Sequence, residues 1–251
     1  NNVDEWHRWQ PAAGERGEWD WCTNSEQIVE YWRQRVKENA AYDNIYTMGM
    51  RGIHDSGMPC SEASKAEKVA KMQNELIPAQ RKLLTDLVNP DASKVPQIFC
   101  PYKEVLELYD MGLKLPEDIT LVWPDDNHGY MRRLSNSEER KRSGGGGVYY
   151  HISYWGSPHD FPWLNSTPPA LIWEQMHTAY AYGADRVWVL NVGDIKPAEI
   201  GTTFVMQMGW DIERWNETNL DRFLEQWAEA TFGPRYSFGI AEVMTEYYQL
   251  A

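Results

Sequence analysis

The sequence predicts an α/β fold, a (β/α)8 TIM barrel of which about five βα units are legible. Three observations carry this. Short apolar runs rich in β-branched and aromatic residues occupy 44–50, 96–101, 119–123, 148–155 and 186–192, and helical patterns alternate with them. Such alternation means a parallel sheet covered by helices. Each run leaves into polar or charged residues while its start is ordinary, the asymmetry of a barrel whose working groups sit at the C-terminal ends of its strands. No GxGxxG follows any run, which removes the commonest nucleotide-binding form of an open, doubly wound sheet. A closed barrel of this kind has eight strands. Either the remaining strands lie outside this chain or the sheet is open. Residues 1–251 are read as one partial barrel domain, with closing helices from about 203.

Residues 1–23 hold Trp6, Trp9, Trp19 and Trp21 among glycine and charge, and read as irregular structure. Thr23, Asn24 and Ser25 offer N-caps for a helix over about 26–39, with Ile28, Val29, Trp32, Val36 and Ala40 on one face. The first strand, 44–50, exits into Arg51-Gly52-Ile53-His54-Asp55-Ser56-Gly57. A long helix from Ser61-Glu62 to about Val88 is expected to kink at Pro78, which has no amide N–H to donate. The strand at 96–101 runs directly into Tyr102-Lys103-Glu104 and a helix that ends at Gly112. Ile119 to Trp123 show no polar alternation, as in a strand buried on both faces. Pro124 breaks that strand before Asp125, Asp126, Asn127 and His128.

Residues 135–147 are charged and end in four glycines. No Lys-Ser/Thr follows them, so a flexible approach to the next strand is preferred to a phosphate loop. That strand carries Tyr149, Tyr150 and His151 and leaves into 156–160. A helix from about Pro168 to Tyr182 has proline near its start and Gly183 after its end. The last strand leads to Asn191, Asp194 and Lys196, and helices follow at about 203–208, 220–232 and 236–250.

The 251 residues carry a formal net charge of −13. This argues against a nucleic-acid partner, whose phosphates would be repelled. An acidic ligand would need a local cationic site set against the field of the whole protein. No apolar run approaches the length of a membrane span, so no membrane partner is expected. No signal peptide opens the chain, and a secreted or periplasmic protein whose leader has been removed is compatible with this. The 13 Trp and 14 Tyr fit flat, amphipathic ligands such as sugars, or else an aromatic core. Cys22, Cys60 and Cys100 are odd in number and lack CxxC spacing, so each reads as a free thiol.

Carboxylates at strand exits are Asp55, Glu104, Asp125, Asp126 and Asp194. Cleaving a glycosidic bond takes two carboxyl groups across a pocket, one protonated and one ionised. Desolvation and neighbouring charge set that difference. Each has an ordinary alternative: Glu104 as an acid in the first turn of a helix, Asp55 as a loop cap, Asp194 as a partner of Lys196. His54, Asp55, Asp126, His128, His151 and His159 could in principle assemble a metal site. The chain has no HxH or HExxH, and no metal or cofactor is expected. His151 reads as a hydrogen-bonded wall residue or, with Arg51, as a donor to a sugar acid.

The runs IYTMGMRGIHD (45–55), YKEVLELYDMG (102–112), LVWPDDNHGYMRRLS (121–135), GGVYYHISYWGSP (146–158) and WLNSTPPALIWEQMHTAYAYGADRVWVLNVGDIKP (163–197) resemble glycoside hydrolase family 115, the xylan α-1,2-glucuronidases. The resemblance implies a (β/α)8 catalytic barrel whose first three strands are missing here. It implies removal of glucuronic or 4-O-methylglucuronic acid from glucuronoxylan or aldouronic acid oligosaccharides, with inversion. Glu104 would be the general acid, protonated at rest, and Asp55 the general base. Asn127, Tyr150 and His151 would line the uronic acid pocket, with Arg51 and Tyr102 close by and Asn191 among the substrate-binding residues. Asp125 and Asp126 are second choices for the base or for contacts to sugar hydroxyls. A homodimer of the full-length enzyme is compatible with the resemblance. Two other readings stay open: a metal-dependent barrel hydrolase and a non-catalytic glycan-binding barrel.

Overall fold

A computed structural model of the protein describes residues 4–53, 56–60, 62–156 and 161–251. Five strands follow one another in chain order in one sheet: β1 (Tyr46–Thr47), β2 (Gln97–Phe99), β3 (Thr120–Pro124), β4 (Gly146–His151) and β5 (Val187–Asn191). The pairings β1–β2, β2–β3 and β4–β5 are parallel. The α/β class with strands alternating with helices is therefore as the sequence predicts. The first strand is much shorter than 44–50. Beyond Thr47 the backbone of Gly49 is hydrogen-bonded at both its N–H and its carbonyl to the Gln80 amide, at 2.9 and 3.0 Å. A side chain thus replaces the next strand-to-strand contacts. The chain forms two compact units, Asn1–Leu121 with Arg142–Gly145, and Val122–Lys141 with Gly146–Ala251.

In the first unit, residues 9–20 carry neither helix nor strand, as the sequence predicts, between the short helix α1 (Asp4–Arg8) and α2 (Trp21–Asn39). Trp6, Trp9 and Trp19 are nonetheless buried against Tyr31 of α2. Trp6 lies 5.3, 5.1 and 5.4 Å, ring centre to ring centre, from Trp9, Trp19 and Tyr31. These tryptophans are core, the alternative to sugar platforms. α2 starts at Trp21, where the Asp20 carboxylate accepts the Cys22 N–H. The residues read as caps mark a kink instead, at Asn24 (φ −144°, ψ 33°).

Cys22 and Cys60 are not free thiols but a disulfide, with Cα atoms 5.3 Å apart. The sequence hides this because the partners are 38 residues apart and meet only when the loop after β1 folds back on α2. Cys100 is the free cysteine, and burial pushes its thiol up to about 12. Under denaturing, non-reducing conditions this chain should therefore show one thiol to a thiol reagent, and three after reduction. Three thiols before reduction would contradict the bridge.

The long helix runs as α3 (Lys65–Lys71), a π-turn at Met72–Leu76 and α4 (Ile77–Leu87). It starts at a capping box between Ser64 and Glu67, and Pro78 lies in the first turn of α4. α5 (Glu104–Asp110) follows β2. Nor are the glycines before β4 a flexible tether. A Cβ on Gly144 would lie 2.5 Å from the Ile119 carbonyl, and one on Gly147 would lie 2.3 Å from the Val187 carbonyl. Glycine is there because backbones pass too closely for any side chain.

In the second unit, α7 (Pro169–Ala181), α8 (Glu199–Trp210), α9 (Phe223–Phe232) and α10 (Ser237–Leu250) follow the short helix α6 (Phe161–Leu164). Their core joins Val148, Tyr150 and Ile152 to Ile172, Met176, Phe204, Trp215 and Phe223. Among the described residues no helix is long and apolar enough to cross a membrane.

Candidate active site

The sequence places its candidate residues at strand exits, and the structure resolves them into one cluster in each unit. In the first unit, Arg51 follows β1 and Glu104 opens α5 after β2. Arg51 Nε and Nη2 donate to the two Glu104 carboxylate oxygens, each at 2.9 Å. The Arg51 guanidinium also lies 5.1 Å from the centre of the Tyr102 ring, a cation–π distance. Arg51, Tyr102 and Glu104 are thus brought together. Asp55, the expected general base, lies outside the described residues, as do His54 and His159 of the metal reading.

Two parallel N–H···O contacts are the fork geometry by which a guanidinium holds a carboxylate. Two features around the pair are absent from the sequence reading. The Trp19 indole N–H donates to the Arg51 carbonyl at 2.9 Å, so the N-terminal tryptophan cluster fixes the backbone that carries the guanidinium. Gly57 faces Glu104: a Cβ there would be 3.6 Å from the glutamate Cγ. The density of Trp in residues 6–21 was the available signal for the first; nothing in the sequence signals the second.

In the second unit the exits of β3 and β4 share one buried group. The Asp125 carboxylate accepts backbone N–H groups of Asn127 (3.0 Å), Gly129 (3.2 Å) and His151 (2.8 Å). It also meets His151 Nδ1 at 2.6 Å. The two side chains are 0 % and 1 % exposed. The Asp125 oxygens thus hold the turn and orient the imidazole. Asp126 turns the other way. Its carboxylate accepts from His128 N (2.9 Å) and Tyr130 N (3.1 Å), which shapes the same turn. Asn127 is held at φ 76°, a conformation asparagine tolerates better than most residues.

Tyr150 is 1 % exposed and its hydroxyl donates to the Gly129 carbonyl at 2.9 Å. Burial raises its phenol above the ordinary tyrosine range, and the charge of Asp125 adds to this. It therefore serves as a neutral strut behind the turn. Asn191, at the end of β5, donates to the Tyr149 hydroxyl at 2.5 Å. The Tyr149 and His151 ring centres are 4.6 Å apart. Tyr149 is thus a member of this cluster that the sequence reading named only as part of the strand. Ligand-type atoms gather within 4.8 Å of one another at Asp20, Cys22 and Cys60, where the two sulfurs are already bonded to each other. Among the described residues no such group includes Asp126, His128 or His151.

An acid held by an arginine at two strand exits, and a carboxylate–imidazole pair at two others, are groups suited to acid–base work on a polar ligand. Comparison with known proteins gives the family. No curated protein matches the chain. A solved structure of a family GH115 4-O-methyl-α-glucuronidase with specificity for decorated arabinogalactans matches with a TM-score of 0.89 and 45 % identity, over 93 % of this chain. This chain spans 31 % of that protein's length. The family model described as glycosyl hydrolase family 115 matches residues 1–251. With residues 1–251 matched by the family model and 93 % of the chain matched by a 45 % identical structure, the chain belongs to glycosyl hydrolase family 115.

Proposed function

We propose that this chain carries the catalytic acid and base of an inverting α-glucuronidase that removes glucuronic or 4-O-methylglucuronic acid α-1,2-linked to xylose in glucuronoxylan. The carrying observation is the bidentate Arg51–Glu104 pair beside Tyr102, at the strand exits of a chain in this family. Glu104 is the general acid that protonates the leaving glycosidic oxygen. Asp55 is the general base that activates water on the opposite face. Inverting enzymes keep such carboxyl groups roughly 6.5–9.5 Å apart to leave room for that water. A uronate carboxylate competes with Glu104 for the Arg51 fork, so binding an acidic sugar loosens the resting pair. His151, held by Asp125, and Asn127 supply hydrogen bonds to the sugar. The similar solved enzyme is specific for decorated arabinogalactans, and this supports a second reading in which the uronic acid is carried by galactan. The disulfide supports a secreted or periplasmic location, since such bonds persist where thiols are not kept reduced.

The test is hydrolysis by the full-length protein of aldouronic acids, of uronic-acid-decorated arabinogalactan and of matching neutral glycosides. The product anomer formed first is read by NMR. The expected result is β-configured uronic acid from an α-linkage, with little action on neutral substrates. An α-configured first product would sink the inverting assignment. Arg51→Ala should lower kcat/KM on uronosides by about 10²-fold, the scale of a lost charge-assisted hydrogen-bonded pair. An unchanged preference for uronosides over neutral glycosides would remove Arg51 from carboxylate recognition.

A further inference from the structure

The backbone just before Glu104 is strained, and the strain falls on a lysine. Lys103 has φ 51° and ψ −121°. These are the angles of the first central residue of a type II′ turn, a place that glycine normally fills because a Cβ is crowded there. The turn is closed as such turns are: the Val105 N–H donates to the Tyr102 carbonyl at 3.1 Å. A second tight contact precedes it, from the Tyr102 N–H to the Cys100 carbonyl at 2.8 Å. The chain is thereby folded sharply twice between β2 and Glu104, the first residue of α5.

Lysine is a poor choice here on other local grounds as well. It is the N-cap of α5, yet its side chain makes no capping hydrogen bond. It also sets a cation at the end of a helix where the exposed N–H groups favour an anion. Residues that break a local rule in this way are found where function holds them, and the inference runs from the observed outlier to the role. The surroundings suggest that role. The Lys103 side chain is exposed, and its ammonium lies 5.2 Å from the centre of the Tyr102 ring. The same ring receives the Arg51 guanidinium at 5.1 Å, while Arg51 holds Glu104 with two of its donors. In a protein of net charge −13, an anionic ligand needs cations close at hand. Lys103 is such a cation, presented next to the acid by a turn that holds it in place.

We propose that Lys103 is a substrate-binding, specificity-determining residue whose ammonium pairs with the carboxylate of the uronic acid alongside Arg51. The strained turn is what aims it. This rests on the α-glucuronidase reading above. Two cations then share one carboxylate, and Arg51 can leave Glu104 without leaving the substrate unmet.

The experiment compares full-length wild type with Lys103→Gly, Lys103→Ala and Lys103→Arg on an aldouronic acid and on its uncharged glucosyl counterpart. Thermal unfolding is measured alongside. Glycine adopts these angles without strain, so Lys103→Gly should unfold about 2–4 °C higher. The same variant should raise KM for the aldouronic acid by about 10-fold or more, with a smaller change in kcat, since one charge-assisted hydrogen bond is lost. Lys103→Ala should match it in KM without the gain in stability. Lys103→Arg should stay within about 3-fold of wild-type KM, since the charge is kept. The uncharged substrate should show no such ranking. A Lys103→Gly enzyme that is more stable and keeps its wild-type KM would give the lysine no contact with substrate. A Lys103→Gly enzyme that unfolds at or below the wild-type temperature would show that the turn holds no strain. Either result overturns the proposal. A wild-type protein inactive on every uronoside would instead overturn the α-glucuronidase reading, before any lysine variant is compared.

Discussion

Glu104→Ala is expected to lower kcat on xylo-oligosaccharide uronosides by about 10²–10⁴-fold, the contribution of a positioned general acid. The leaving group there is a sugar alkoxide, which departs only if a proton reaches it in the transition state. An aryl uronoside whose phenolate leaves without help should lose far less. The same substitution should barely change stability. The Glu104 side chain is 37 % exposed and its pair with Arg51 is screened by water. Pairs of that kind are worth about 0–1 kcal/mol. A large loss of activity without a loss of fold would separate chemistry from scaffolding. Equal losses on both substrates would mean that Glu104 does not protonate the leaving group. Asp126 would then be the next carboxylate to test, because Asp125 is turned into the protein.

Asp125→Ala is expected to show the opposite pattern. This carboxylate satisfies three backbone N–H groups and faces the His151 imidazole, and the contacts to Gly129 N, His151 N and the imidazole are buried. Alanine leaves these donors unmatched. Removing one partner from a buried charged network costs about 3–5 kcal/mol. In a denaturant titration the midpoint should fall accordingly. Asp125→Asn keeps the shape and one acceptor oxygen, so it should lie between wild type and alanine. If Asp125→Ala unfolds within about 1 kcal/mol of wild type, inside the range of ordinary surface substitutions, the network is not what holds the turn. KM for uronosides should rise in both variants, since the loop bearing Asn127 and the ring of His151 lose their common anchor.

The two adjacent acids show where sequence stops. Asp125 and Asp126 follow the same strand and look alike in the chain. Side chains of an extended segment alternate between its two faces. One aspartate therefore enters the interior toward His151, while the other folds over its own turn. Choosing between them requires the register of β4 beside them. Arg51 and Glu104 show the same limit in another form. Each is legible as a polar residue at a strand exit, but they are 53 residues apart, and only the packed fold shows that one holds the other.

What the sequence determined by itself was local in origin. Apolar runs of strand length, helical spacing between them, and proline or glycine where the chain must stop or turn are set by the geometry of a few neighbouring residues. Those features were enough for the α/β alternation, for five strands, and for the crowding of polar groups at their C-terminal ends. The tertiary structure decided the rest: the Cys22–Cys60 bridge, the tryptophan core under Arg51, the inward turn of Asp125, and the strained backbone at Lys103. Each depends on residues far apart in the chain arriving within bonding distance, or on a backbone angle that surrounding contacts impose. Neither is written in the pattern of neighbouring side chains. Both follow from how the segments pack, because burial and hydrogen-bond partners are properties of the assembled fold.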